Sequence, residues 1–222
     1  MVLTILAISD IHGRLNKVRS LTNIVRDLTI VSGDLTNFGS ISDAEEIIKE
    51  LSRQSSLTLF VPGNCDPREL LKFTPTGINN VINVHGEAFK YQSLTIIGIG
   101  GSTITPFNTW IEFKEEEIKS ILITVFNTLK DVGDTILVSH APPYKTKADR
   151  TLFGLHVGSK AIREFIEEKK PKLCICGHIH EARCIDKLND TIIVNPGPLA
   201  KGYYAVIKIR NSEIRIELNK LS

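Results

Sequence analysis

At 222 residues, with 42% hydrophobic and 23% charged side chains, the chain has an ordinary globular composition and the length to bury a sizeable core. Its 27 Lys and Arg against 25 Asp and Glu leave a net charge of +2, spread along the sequence without a basic stripe, which argues against an extended nucleic-acid track as a ligand. The short apolar run in MVLTILAISDIHG has no basic residues before it and polar ones straight after, so it reads as a first strand and neither a signal peptide nor a membrane span.

Apolar runs alternate with amphipathic segments, the pattern of a layered α/β domain, and one domain over residues 1–222 is the economical reading. The first predicted strand, about residues 2–8, is followed by Asp10, Ile11 and His12, then by a helix opening near Arg14 and Lys17. A strand over 28–32 runs into Gly33 and Asp34. ISDAEEIIKELSRQ then predicts a helix, with Ser42 as N-cap and Glu45 closing a capping box. The strand over 57–61 ends in VPGNCDP, which presents Asn64, Cys65 and Asp66 in a row. Further strands are predicted over 94–99, 135–139, 172–176 and 191–194, with a late hairpin of YAVIKIR and EIRIEL. Helical spacing marks KEEEIKSILITVFNTLK and GSKAIREFIEEKK, the latter closed by Pro171.

The four cysteines show no disulfide spacing, and Cys174 and Cys176, two apart on a strand, read as small core residues on one face. A reducing, cytoplasmic compartment fits.

The residues just beyond the apolar runs are the informative feature. Five predicted strands end in metal-competent side chains: Asp10 and His12, Asp34, Asn64, His140, and His178 with His180. In α/β sheets the loops at strand carboxyl ends form the ligand-binding edge. Two Asp, four His and one Asn are nitrogen and oxygen donors, which suit Mn, Fe, Ni, Co or Zn better than calcium. On an extended segment Asp10 and His12 share a face and grip one ion, and GHIH repeats the arrangement with His178 and His180. Seven ligands exceed the needs of one ion that keeps a position for water. Two ions sharing a bridging carboxylate are the natural solution, and such pairs, about 3.5–4 Å apart, clamp the attacking and leaving oxygens of a phosphoryl displacement.

DIHG at 10–13, GDL at 33–35, GNCD at 63–66, SH at 139–140 and GHIH at 177–180 resemble, in order and approximate spacing, the five-motif signature of calcineurin-like metallophosphoesterases. GIGGSTITPFNTW, SHAPPYKTKADR and FGLHVGSKAIREF look similar to the family's small archaeal members. The resemblance implies a four-layer αββα sandwich of two mixed sheets. It implies that Asp10, His12 and His180 hold a first metal and Asn64, His140 and His178 a second, with Asp34 bridging. It further implies a small phosphoester substrate attacked in line by a water or hydroxide held between the ions, with no membrane partner and an oligomer allowed.

The third motif departs from the family pattern, in which a histidine usually comes after the asparagine and a following acid orients it. Here Cys65 replaces that histidine, with Asp66 as its supporting neighbour. A thiol is shorter than imidazole and a weak donor, and missing general-acid help costs about 10²- to 10⁴-fold. Cys65 reads as a small filler, or as a device that selects diesters, since members with this variant resemble phosphodiesterases. A covalent nucleophile is disfavoured, because no third group stands out to activate a thiol. His156 precedes a predicted helix whose first amides, at Gly158 and Ser159, suit an anion, so it is a catalytic candidate against the plainer reading of a loop histidine. His85 matches no motif and reads as structural, and NPGPL at 195–199 as a turn. Loops 100–110 and 140–151 wall the cleft unless Phe107 and Trp110 merely anchor them. The expectation is a dinuclear phosphodiesterase. The alternative is a slow or inactive metal-binding scaffold of the same fold acting through protein partners. A protein serine/threonine phosphatase is disfavoured because GDLTNFG lacks the arginine such enzymes carry.

Overall fold

The computed structural model describes residues 2–130, 133–211 and 213–221. The chain lays down β1 (Leu3–Ile8), α1 (Leu15–Arg19), β2 (Leu28–Ser32), α2 (Ile41–Gln54), β3 (Thr58–Val61) and β4 (Val81–Asn83). It then crosses to a second sheet with β5 (Ala88–Tyr91) and β6 (Leu94–Ile99), and makes a short side pair, β7 (Ser102–Thr103) and β8 (Glu112–Phe113). After α3 (Glu115–Asn127) come β9 (Asp134–Ser139), α4 (Lys160–Lys169), β10 (Leu173–Ile175), β11 (Cys184–Leu188) and β12 (Thr191–Asn195). The hairpin β13 (Tyr203–Arg210) and β14 (Glu213–Lys220) returns to the first sheet.

Six strands make each large sheet, in the orders β14-β13-β1-β2-β3-β4 and β11-β12-β10-β9-β6-β5. Strands β1 to β4 are mutually parallel, as are β12, β10, β9 and β6, while β13, β14, β11 and β5 pair antiparallel at the edges. Both sheets are therefore mixed. Strand periodicity sorts the apolar residues: Ile5 and Ala7 of β1 join Ile136, Val138 and Ile175 between the sheets, whereas Leu6 and Ile8 pack outward with Ile47, Ile48 and Leu51 of α2. On the far side, Leu137 and Cys174 pack under Leu122 of α3 and Ile162 and Phe165 of α4. The result is the expected four-layer αββα sandwich. Cys174 and Cys176 lie fully buried in that last layer, on one face. No described helix is long and apolar enough to cross a membrane.

Two local expectations are corrected. The α2 capping box is Ser40 with Asp43, not Ser42 with Glu45: Asp43 N–H donates to Ser40 Oγ at 3.3 Å and Ser40 N–H to Asp43 Oδ2 at 2.7 Å. A hydroxyl-x-x-acid pattern occurs twice in SISDAE, and the chain uses the earlier copy. The start of α4 offers no open anion site. Ser159 caps it, Glu115 accepts from the Lys160 and Ala161 amides at 2.8 and 2.9 Å, and Asp149 Oδ2 accepts from Gly158 N–H at 3.0 Å. Two internal carboxylates occupy the place expected for a ligand.

Candidate metal centre

The carboxyl ends of β1, β2 and β3 in one sheet and of β9 and β10 in the other converge, and the loops beyond them carry Asp10, His12, Asp34, Asn64, His140, His178 and His180. Asp10 and His12 do not meet by strand alternation as expected. β1 ends at Ile8, and both residues have left-handed backbones, φ 52° and 46°, as do Asp34 at 52° and His178 at 68°. Non-glycine residues rarely adopt this conformation, and it gathers at sites where the surrounding structure enforces it. Here the enforcement is backbone pairing: Asp10 N–H donates to Gly33 O and His12 N–H to Asp34 O, each at 3.0 Å.

His12 Nε2 faces His180 Nε2 at 3.0 Å, His180 Nε2 lies 3.5 Å from Asp10 Oδ1, and His12 Nε2 lies 3.7 Å from Asp34 Oδ2. The other oxygen of Asp34, Oδ1, lies 3.6 Å from His140 Nε2, which faces Asn64 Oδ1 at 2.8 Å. The His140 and His178 rings stand edge to face with centroids 5.1 Å apart. The two histidines of GHIH thus go to different partners, His180 to Asp10 and His12, His178 to His140.

This donor set fits divalent cations. His140 Nδ1 donates to the Ser32 carbonyl at 2.8 Å, so the neutral ring keeps a bare Nε2 facing the carbonyl oxygen of Asn64, and two lone pairs meet with no proton between them. Metal–nitrogen and metal–oxygen bonds of about 2.0–2.2 Å give coordination-shell edges of about 2.8–3.6 Å between octahedral and tetrahedral geometry, close to the donor spacings here. Burial pushes the Asp34 carboxyl well up, reinforced by Asp66 and Asp10. Burial alone would raise Asp10 too, but the hydrogen bond from His180, whose own pKa Asp10 raises in turn, holds it below the usual range. Burial lowers His12 and His140, and lowers His178 to about 3, leaving these rings in the neutral, ligating form. Among the described residues no Lys or Arg pairs with Asp10 or Asp34, so positive charge is what the pocket lacks.

Cys65 lies beside Asp34. Its N–H donates to Asp34 Oδ1 at 2.8 Å, and its Sγ falls within 4.8 Å of the nearest His12 and Asp34 donor atoms. In the metal-free protein burial, then Asp34, pushes the thiol well above its ordinary value. Asp66, fully buried, accepts from the amides of Gly63, Leu35 and Thr36 and from the Thr36 hydroxyl, at 2.7–3.1 Å. It ties the GDL loop to the GNCD loop. Gly63 makes that approach possible, because a Cβ there would run into the Asp34 carboxylate and backbone. His156 stands outside these groupings, its Nδ1 2.7 Å from Asp149 Oδ1. His85, read as structural, accepts from Gly100 N–H at 2.9 Å and stacks on Phe113.

NPGPL does more than turn. Asn195 Nδ2 donates to the Ile179 carbonyl at 3.0 Å, and the amides of Leu199 and the following Ala200 donate to the Ser9 and Asp10 carbonyls, bracing the loop of His178 and His180 and the loop of Asp10 and His12. Its signal in the sequence was one polar residue after a strand, too weak to separate from any other turn.

The model of the calcineurin-like phosphoesterase family matches residues 3–182. The chain belongs to that family. This calcineurin-like phosphoesterase is 41% identical over 220 residues to the uncharacterized protein MJ1162 of Methanocaldococcus jannaschii, covering 97% of this chain and 96% of that one. In fold it is similar to TT1561 of Thermus thermophilus, with TM-score 0.76, 19% identity and both chains fully covered. It is also similar to the phosphopantetheinyl hydrolase PptH of Mycobacterium tuberculosis, with TM-score 0.62, 16% identity, and 88% and 90% of the two chains covered. These two likenesses concern the fold alone.

Proposed function

We propose that this calcineurin-like phosphoesterase is a phosphodiesterase dependent on two divalent ions. The observation that carries the reading is Asp34, whose two oxygens face different histidines, Oδ2 toward His12 and Oδ1 toward His140. Asp10, His12 and His180 would hold one ion, Asn64, His140 and His178 the other, with Asp34 shared. When bound, divalent ions lower the pKa of coordinated water and offset the charge that develops on the phosphoryl oxygens.

The protein's own part is positioning. Ser32 O fixes the His140 ring, Asp66 locks the loops of Asp34 and Asn64, and Asn195 holds the loop of His178 and His180. The Cys65 side chain, shorter than imidazole and a weak donor, gives a departing alkoxide little help, so good leaving groups are favoured. The test strips the protein of metal, restores Mn, Ni, Mg or Zn, and compares bis-p-nitrophenyl phosphate with p-nitrophenyl phosphate. Metal-dependent turnover with the diester preferred is the expected result. Preference for the monoester would overturn the diesterase assignment. Retention of ions without turnover of either ester would favour a partner-binding scaffold, a reading supported by the exposed Leu152, Phe153 and Leu155 at one loop tip.

A further inference from the structure

Two aromatic side chains beside the donor loops have no part in the chemistry above. Phe38 and Trp110 lie edge to face, with ring centroids 5.3 Å apart and planes at 79°. Both remain open to solvent, at 46% and 39% exposure. Their backbones are bonded to the third motif: Phe38 N–H donates to the Cys65 carbonyl at 2.9 Å, and the Trp110 and Ile111 amides donate to the Asn64 carbonyl at 3.0 and 3.2 Å. Arg68 Nη1 donates to the Trp110 backbone carbonyl at 2.8 Å, tying the Trp110 loop to the segment after the third motif. Phe38 is held at φ 55°, a left-handed conformation disfavoured for a bulky residue.

The pair walls a cavity of about 660 Å³ that Ser40, Pro67 and Arg68 also line. A smaller cavity, about 250 Å³ and bordered by His12 and Thr36, adjoins it through Gly39. The larger space has the size of a small-molecule site, and two of its lining residues, Phe38 and Trp110, are bonded through their backbones to the loop that carries Asn64. A long alkyl chain would gain most from a closed apolar slot, whereas this wall offers aromatic faces under a polar rim of Ser40, Arg68 and Glu69. A flat ring with hydrogen-bonding edges suits both features, since bases stack on aromatic side chains whatever their sequence.

Resting on the phosphodiesterase reading, we propose that the Phe38–Trp110 wall is the subsite for the organic arm of the substrate, and that it selects a nucleobase-bearing phosphodiester. Trp110 is the only tryptophan in the chain, so its fluorescence reports occupancy directly. The probes are adenosine 5′-monophosphate, ribose 5-phosphate, decyl phosphate and inorganic phosphate, added to Mn-loaded protein. Adenosine monophosphate should quench Trp110 and bind at least tenfold tighter than ribose 5-phosphate. Phe38→Ala, which keeps the reporter, should erase that tenfold difference, and circular dichroism checks that the variant is folded. Calorimetry on Trp110→Leu should show the same loss. Equal affinities for the two sugar phosphates, tighter binding of decyl phosphate, or an unchanged preference in both variants would overturn the subsite. Failure of the parent reading looks different: no metal-dependent turnover of bis-p-nitrophenyl phosphate, with the selective quenching intact.

Discussion

Cys65 and Asp66 are neighbours in sequence and face different tasks. The Asp66 carboxylate is filled by three amides and a hydroxyl, so it serves the architecture of two ligand loops. Cys65 sits beside Asp34, its backbone N–H bonded to that carboxylate, with no free neighbouring base among the described residues that would make its thiol a nucleophile. Cys65→Ser should therefore retain diester turnover within a few-fold, as followed with bis-p-nitrophenyl phosphate at matched metal content. Abolished turnover with the ions still bound would give the thiol a direct role. At this scale the sequence shows which residue types end the strands, because polar groups after Gly or Ser at the close of an apolar run stand out. It does not show their conformation. Left-handed Asp10, His12, Asp34 and His178 are set by pairing between loops from distant strands, and a local pattern carries no trace of that.

Elements were legible where periodicity was strong and uncertain at their ends. The strands β1, β2, β3, β6 and β9 bury nearly every residue and read as apolar runs. The edge strands β5 and β11 are only partly buried, and Lys90 in one and Asp186 and Lys187 in the other interrupt their apolar residues, so they carry no comparable signal. The α4 start illustrates a second limit: Glu115, more than forty residues earlier in the chain, fills its free amides, so a local reading predicts a vacancy. The α2 cap gives a direct check. Ser40→Ala should cost about 1 kcal/mol, read as a lower urea midpoint at unchanged slope, whereas Ser42→Ala should fall within about 0.5 kcal/mol of the parent. The opposite ranking would return the cap to Ser42.

Across the whole molecule, two sheets place five parallel strand ends around one pocket, and their packing fixes groups that respond to acid. Burial lowers His85 from 6.5 to about 4, and its Nδ1 accepts from Gly100 N–H, a bond that only the unprotonated nitrogen makes. Between those two values the unfolded chain binds the extra proton, so stability falls as pH drops from about 6.5 toward 4, by about 3 kcal/mol in total. Metal-free protein and its His85→Gln variant, unfolded in urea at pH 7 and pH 4.5, should differ in acid sensitivity by roughly that amount. Parallel pH dependences would remove His85 from the account.

The central claim is that Asp34 joins two ion sites, and counting ions tests it most directly. After equilibrium dialysis against Mn²⁺, the wild-type protein should hold two ions per chain by atomic absorption. Asp34→Asn, nearly isosteric, should hold fewer than one at the same free concentration. One ion or none in the wild type, or two retained in the variant, would contradict the shared carboxylate.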